Sequence, residues 1–260
     1  MTSSMRIMVL GSCSGTEPRP NCHHTSWILE NKDGVFWFDA GENCAYRAHL
    51  ANFDMLRTRG IFFSHPHMDH VAGLPHLLWT IAKMTFVKDC HEPFDVEVYT
   101  PVPEQVEAAK RMLECFHEWK YDFTLHLHRT ADGTVCTTPF RVSALHNHHI
   151  EREEPADGWH SFSYRIECEN KVIVYSGDVG SIDELDEWTG ECDLFFMETG
   201  HHDPVAVCKH LAGRGSKIGR VVFLHHGRAM LRDAAGLMKQ CAPLLPCPVE
   251  AAYDGMEIRL

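Results

Sequence analysis

Three histidines and one aspartate lie within six residues of the chain, at His65, His67, Asp69 and His70. They follow the short apolar run Ile61–Phe63, which predicts a strand that ends just before the cluster. Imidazole and carboxylate groups together suit divalent cations such as zinc, manganese or iron. In an extended or turning segment, His65 and His67 project to one side while Asp69 and His70 can reach a second point. The pattern therefore predicts a metal site, and one short loop could serve two metal ions.

The spacing His65-x-His67-x-Asp69-His70 resembles the signature of the metallo-β-lactamase superfamily. The continuation Val71-Ala72-Gly73-Leu74-Pro75 is similar to that of its ribonuclease Z-like branch, which also contains small phosphodiesterases. The likeness runs in order along most of the chain. It implies an α/β fold, the four-layer αββα sandwich, with a binuclear metal centre at one edge. We expect residues 1–260 to form one domain of this type.

The same resemblance implies where the remaining ligands lie. One imidazole is expected after the apolar segment Phe140–Leu145, and the family pattern favours His148, with His146 as the alternative. The run Lys171–Tyr175 predicts a strand, and it delivers Asp178 in the position of a carboxylate that bridges two metal ions.

The last ligand is expected at the end of the strand Arg220–Leu224. The branch pattern favours His225, and a slip of one residue would replace it with His226. The resemblance also gives Asp39 a supporting role, in which it holds the histidine loop by hydrogen bonds without binding metal. The nearby Arg228 could hold an anionic substrate or form a structural salt bridge.

The expected centre therefore has two ligand groups that share one carboxylate. The first metal ion is assigned to His65, His67 and His148, and the second to Asp69, His70 and His225, with Asp178 bridging them. Asp69 is also expected to position the attacking water. His201, His202 and His210 could orient substrate or protonate a leaving group, and a plain surface or capping role is open for each.

Two divalent metal ions, zinc or else manganese or iron, would ionise a shared water near neutral pH. Attack of the bridging hydroxide on phosphorus would make the chain a metal-dependent phosphodiesterase for a small cyclic or nucleotide-like diester. The same centre could instead hydrolyse a carboxylic ester, a lactone or a thioester. A hypothesis from another class is a metal-binding or sensing protein without turnover.

The amino-acid composition limits which molecules the protein is expected to bind. The formal net charge is −12, which counts against binding of extended nucleic acid, although a positively charged metal pocket could accept a small anionic substrate. The 11 cysteines include no CxxC pair, and we expect them to be reduced. No apolar run approaches the length of a membrane span or a signal-peptide core, so we expect a cytoplasmic protein without membrane contact. The resemblance also implies that a homodimer could form.

The elements that must position these residues alternate between strands and helices, which favours an α/β sandwich. A strand is predicted at Arg6–Leu10, and a hairpin joins Thr25–Glu30 to Val35–Asp39. Helices are predicted over Cys44–Thr58, His76–Phe86 and Pro103–Trp119.

Overall fold

The structure, a computed structural model, describes residues 5–115 and 122–260. Backbone contacts divide the chain into two compact units, each built around one seven-stranded sheet. The first unit comprises Met1–Gly11, Arg19–Arg129 and Asp254–Arg259, and the second comprises Ser12–Pro18, Thr130–Tyr253 and Leu260. A single domain over residues 1–260 stays a prediction.

The first unit carries the histidine motif on a mixed sheet. Its strands are β1 (Arg6–Gly11), β2 (Ser26–Asn31), β3 (Gly34–Phe38), β4 (Thr58–Phe62), β5 (Phe94–Thr100), β6 (Phe123–Arg129) and β16 (Glu257–Arg259), in the order β16-β1-β2-β3-β4-β5-β6. The predicted hairpin is confirmed, because β2 pairs antiparallel with β3. Strands β3, β4 and β5 run parallel, so their carboxyl ends lie at one edge of the sheet.

The helices of this unit are α1 (Cys44–Leu50), α2 (Met68–Val71), α3 (Leu74–Val87) and α4 (Pro103–Glu114). The helix predicted over Cys44–Thr58 is wrong beyond Leu50, because Asn52 adopts a left-handed φ of 63° and only a short 3₁₀ turn, Met55–Arg57, follows. Helix α3 covers the predicted His76–Phe86 and has Pro75 in its first turn, a position that proline favours. For the helix predicted over Pro103–Trp119, residues 116–119 lie outside the described residues.

The core of the first unit explains where these helices dock. Leu77 and Ile81 of α3 and Leu113 of α4 are buried in one apolar cluster with Trp37 of β3 and Ile61 of β4. Burial of such side chains stabilises the packed state by about 1.5–3 kcal/mol each. The cluster holds α3 against the sheet, and α3 in turn follows directly from the histidine motif.

The second unit contains a second mixed sheet. Its strands are β7 (Gly133–Cys136), β8 (Arg141–His146), β9 (Phe162–Cys168), β10 (Lys171–Tyr175), β12 (Leu194–Thr199), β14 (Val221–His226) and β15 (Val249–Ala251), in the order β15-β14-β12-β10-β9-β8-β7. Two short strands, β11 (Glu191–Cys192) and β13 (Lys217–Ile218), pair separately. Helices α5 (Pro204–Arg214) and α6 (Arg228–Cys241) and the 3₁₀ turns Ile182–Leu185 and Ala242–Leu244 complete the unit.

Parallel pairing organises the part of this sheet that carries chemistry. Strand β12 pairs in parallel with β10 on one side and with β14 on the other. The carboxyl ends of these three strands therefore lie at the same edge. Residues that follow them, far apart in the sequence, are brought together there. No helix among residues 5–115 and 122–260 is long and apolar enough to cross a membrane.

Candidate metal centre

The four predicted ligands of the histidine motif lie together in the first unit. The chain leaves β4 at Phe62 and begins helix α2 at Met68, so His65 and His67 lie in the turn between them and Asp69 and His70 lie in α2. The ring centroid of His65 lies 4.6 Å from that of His67 and 4.1 Å from that of His70. Asp69 Oδ2 lies 3.5 Å from His70 Nε2. Three imidazoles and a carboxylate are therefore presented by one loop.

Asp39 holds this loop in place from the end of the neighbouring strand β3. Its carboxylate accepts hydrogen bonds from the backbone N–H of Ser64 at 2.7 Å and from the Ser64 hydroxyl at 2.8 Å. Asp39 Oδ2 also lies 2.7 Å from His70 Nδ1. An ionised carboxylate can only accept, so Nδ1 carries the proton and Nε2 keeps its lone pair for a metal ion. The hydrogen-bonding role predicted for Asp39 is confirmed.

Two glycines let the neighbouring loop approach the motif closely. A Cβ added to Gly73 would lie 2.8 Å from the carbonyl oxygen of Ala40, and one added to Gly41 would lie 2.8 Å from that of Asp69. The Gly73 N–H donates to Ala40 O at 2.8 Å, and the Ala40 N–H donates to His70 O at 2.6 Å. The glycine that follows the motif is thus required by a backbone contact.

In the second unit, three imidazoles surround the carboxylate of Asp178. Asp178 Oδ2 lies 3.3 Å from His225 Nε2, 3.6 Å from His149 Nε2 and 3.8 Å from His201 Nδ1. Asp178 follows β10 by a turn in which Gly177 adopts a φ of 58°, a conformation that favours glycine. The side chain of Asp178 is only 2% exposed. A buried carboxylate and three nitrogen donors therefore meet at one point.

The choice between His225 and His226 is visible in the geometry. Both residues are buried at the end of β14, but their rings have different partners. His226 Nε2 donates to the carbonyl oxygen of Ala252 at 2.8 Å, and its Nδ1 lies 3.1 Å from Thr199 Oγ1. The structure places His225, the residue favoured by the sequence, beside Asp178.

The structure does not bring His148 to this group. His148 Nδ1 lies 2.9 Å from Glu184, and the backbone N–H of His148 donates to the same carboxylate at 2.8 Å. The alternative, His146, is bound to Asp132 through both its backbone N–H and its ring, at 2.6 Å each. The imidazole beside Asp178 is instead that of His149, which the sequence analysis did not weigh.

Glu198 and His201 also belong to this group, and sequence reasoning did not recognise Glu198. Glu198 is 1% exposed at the end of β12, and its two oxygens accept from His201 Nδ1 at 3.1 Å and from the His201 N–H at 2.8 Å. Burial works to raise the pKa of Glu198, but the hydrogen bonds from His201 and the nearby ring of His225, whose Nδ1 lies 3.8 Å away, outweigh it and hold that pKa far below its usual range. The hydrogen bond to Glu198 raises the pKa of His201. The signal in the sequence was Glu198-x-x-His201 directly after an apolar strand.

The donor set of the second unit fits a divalent metal ion. The ligand atoms of His149, Asp178 and His201 all lie within 4.8 Å of one another, as do those of Glu198, His201 and His225. Nitrogen and carboxylate donors at this spacing are those that zinc, manganese and iron accept. The motif loop of the first unit offers the same chemistry, with the His70 ring oriented by Asp39.

The chain has two seven-stranded sheets with helices, and imidazole and carboxylate donors follow the strand ends. These features define a class of α/β proteins that can bind divalent metal ions. Residues 36–247 match the family model described as the β-lactamase superfamily domain. The chain therefore belongs to the β-lactamase superfamily.

Three similar proteins illustrate what the chain resembles. A ribonuclease Z of Treponema denticola is 33% identical over 113 residues, which are 44% of this chain and 35% of that protein. The short form of human tRNase Z matches with a TM-score of 0.71 and 20% identity over 97% of this chain and 98% of that one. A diphosphatase from the PhnP family matches with a TM-score of 0.65 and 16% identity over 100% and 98%.

These matches confirm the predicted resemblance to ribonuclease Z-like proteins and the predicted α/β fold of the metallo-β-lactamase type. They support the class of metal-dependent hydrolase that the sequence predicted. The matched region spans only about a third of the length of the Treponema ribonuclease Z, and the two structural matches show the fold alone.

Proposed function

We propose that this protein is a metal-dependent hydrolase that cleaves a small cyclic or nucleotide-like phosphodiester. The observation that carries the proposal is the buried Asp178 carboxylate, which imidazoles from three separate chain segments approach within 3.3–3.8 Å. A buried charge is retained only where it is paired or binds a metal ion. Here the partners are imidazoles, which are also metal ligands, and the family includes metal-dependent hydrolases.

Two divalent metal ions, with zinc as the first choice, are the proposed cofactors. The proposed ligands in the first unit are His65, His67, Asp69 and His70. Those in the second unit are His149, Asp178 and His225, with His149 in the role that the sequence analysis gave to His148. When bound, the ions supply Lewis-acid activation of water and neutralise charge on the phosphoryl oxygens.

The side chains around the ligands have separate tasks in this proposal. Asp69 orients the attacking water, and the Asp39 hydrogen bond fixes the ring of His70. His201 has a side chain that is 46% exposed and is anchored by Glu198, so it can contact a bound substrate. We assign His201 to donate a proton to the leaving oxygen.

The surface charge bears on the size of the substrate. At a net charge of −12, the exterior repels a long phosphate backbone, whose binding depends on many lysine and arginine contacts. A diester with one phosphate needs no such surface. A small anionic substrate therefore fits better than extended nucleic acid, and a homodimer and a cytoplasmic location stay predictions.

The test combines metal analysis by mass spectrometry with turnover of bis-p-nitrophenyl phosphate. We expect Asp178→Ala and His67→Ala to lose bound metal and at least about 100-fold in kcat/KM, because each removes a proposed ligand. His210→Ala is the matched control, since its ring contacts Asp186 and not Asp178. Activity that survives both ligand substitutions would refute the centre.

A metal-replete protein that is inert towards this diester would contradict the proposed substrate. If it then cleaved p-nitrophenyl esters, lactones or thioesters, the same centre would serve carboxylic substrates. If it bound metal and cleaved none of them, the metal-binding or sensing hypothesis would replace the hydrolase.

A further inference from the structure

An aromatic cluster lies in the second unit, on the loop that joins β8 to β9. The indole of Trp159 stacks on the ring of His146, with centroids 4.2 Å apart and planes 11° from parallel. The ring of His148 meets Trp159 edge-on, at a centroid distance of 5.3 Å. Trp159 is partly exposed, and the His146 and His148 side chains are 27% and 42% exposed. Three rings thus form one accessible surface.

Both histidine rings in this cluster are held by carboxylates. Asp132 binds the backbone N–H and Nδ1 of His146, and Glu184 binds the backbone N–H and Nδ1 of His148. Glu184 is fixed in turn, because it accepts a 2.6 Å hydrogen bond from the Ser181 N–H. The rings are therefore preorganised, and little ordering entropy remains to oppose a ligand that stacks on them.

The cluster adjoins the group around Asp178. His149, whose Nε2 lies 3.6 Å from Asp178 Oδ2, directly follows His148 in the chain. On the other side of the loop, Ser161 lies two residues after Trp159, and its hydroxyl donates to the Asp178 carbonyl oxygen at 3.5 Å. Short stretches of chain therefore join the aromatic cluster to the group around Asp178.

The charges of the cluster indicate what it can bind. The Asp132 and Glu184 carboxylates already occupy the Nδ1 atoms of both imidazoles, and their negative charge opposes a second anion there. A neutral planar ring meets no such opposition. Indole has two faces, and His146 stacks on one of them. Aromatic stacking on such a platform is tolerant of the identity of the ring.

We propose that Trp159, supported by His146 and His148, forms a subsite that stacks on a planar aromatic group of the substrate, such as a nucleobase. This inference rests on the proposed function, because it names the substituent carried by the diester. Trp159 is a specificity-determining residue in this account, and it takes no part in the reaction at phosphorus.

The experiment compares two diesters with the same leaving group. Thymidine 5′-(p-nitrophenyl phosphate) carries a base, and methyl p-nitrophenyl phosphate does not. We measure kcat/KM for both diesters with three metal-replete, full-length proteins: the parent, Trp159→Phe and Trp159→Leu. The last two variants remove similar bulk, but only the phenylalanine keeps a ring. Glu153→Gln, an exposed substitution in the same loop, is the control.

We expect the parent to prefer the thymidine ester and Trp159→Leu to lose about tenfold of that preference, mainly through KM, as for one base stacked on an aromatic ring. Trp159→Phe should retain most of the preference, and Glu153→Gln all of it. Equal preference in the phenylalanine and leucine variants would overturn the subsite while leaving the diesterase intact.

Binding separates this inference from the proposed function. Calorimetric titration with thymidine 5′-monophosphate and with methyl phosphate needs no turnover. If the parent cleaves neither diester, the proposed function fails. The stacking subsite still stands if the parent binds the nucleotide more tightly than methyl phosphate and Trp159→Leu removes about tenfold of that difference in affinity. Identical binding of the two phosphates by the parent would overturn it.

Discussion

The carboxylate of Asp39 and the imidazole of His70 form a fully buried pair, with Asp39 Oδ2 2.7 Å from His70 Nδ1. The two residues lie 31 positions apart in the chain and meet because β3 and β4 run parallel. This contact fixes which nitrogen of His70 is available to a metal ion. It makes the metal affinity of the motif depend on a residue outside it.

Replacing Asp39 by asparagine should therefore weaken metal binding. An amide of the same shape cannot serve Ser64 and His70 as a carboxylate does, so the ring loses its orienting acceptor. We expect Asp39→Asn to lower metal affinity about 10- to 100-fold, measured by competition with a chromogenic chelator. Asp95→Asn, which alters an exposed aspartate–histidine pair with His126, is the control and should bind metal like the parent. Parental affinity in Asp39→Asn would contradict the orienting role.

The neighbouring residues His148 and His149 provide a matched pair for the ligand assignment. We expect His149→Ala to lose one metal ion and at least about 100-fold in kcat/KM, because its ring faces Asp178. His148→Ala should keep the full metal content, since that ring contacts Glu184. Metal content by mass spectrometry decides between them. The opposite result would restore His148 as the ligand.

The close backbone contact at Gly73 predicts a loss of stability. In Gly73→Ala the added methyl would meet the carbonyl oxygens of Ala40 and Gly41, and backbone cannot move aside cheaply. We expect the free energy of unfolding to fall by about 1–3 kcal/mol, measured in urea. Gly213→Ala, in α5, where the new Cβ would meet no atom within 4 Å beyond its chain neighbours and the backbone of its own helix, should raise it by up to about 1 kcal/mol. A neutral Gly73→Ala would show that the loop can shift.

Asp193 predicts a pH dependence of stability away from the site. Burial works to raise the pKa of Asp193, but hydrogen bonds from Lys171 and from the Val172 N–H outweigh it and lower that pKa. Because the folded pKa is depressed, the stabilisation is fully present above the unfolded value of about 3.9 and is lost as pH falls through the folded value. Asp193→Asn should lower the unfolding free energy at pH 6, and the difference should vanish in acid.

Urea unfolding at a series of pH values between 2 and 7 measures this difference. Asp33→Asn, an exposed substitution in the turn between β2 and β3, is the control and should track the parent throughout. A difference between Asp193→Asn and the parent that stayed constant down to the lowest pH would show that the carboxylate charge is not the cause.

The sequence by itself determined the features whose cause is local. The motif from His65 to His70 could be recognised because its donors are neighbours in the chain. Strand β10 was predicted with the bounds Lys171–Tyr175 that the structure has, since an unbroken apolar and β-branched run leaves few alternatives. Strand β6 was missed, although its partly buried Phe123 and Leu125 alternate with polar residues and carried a signal of period two.

Tertiary structure alone decided which histidine of a cluster faces Asp178. In the segment from His146 to His149 the chain leaves β8 and turns around the buried Asn147, so the regular alternation of a strand no longer predicts direction. Asp178 and Glu198 both approach His225 only because β10, β12 and β14 pair in parallel and end at one edge. Such pairing is a contact between residues distant in sequence, and no local pattern encodes it.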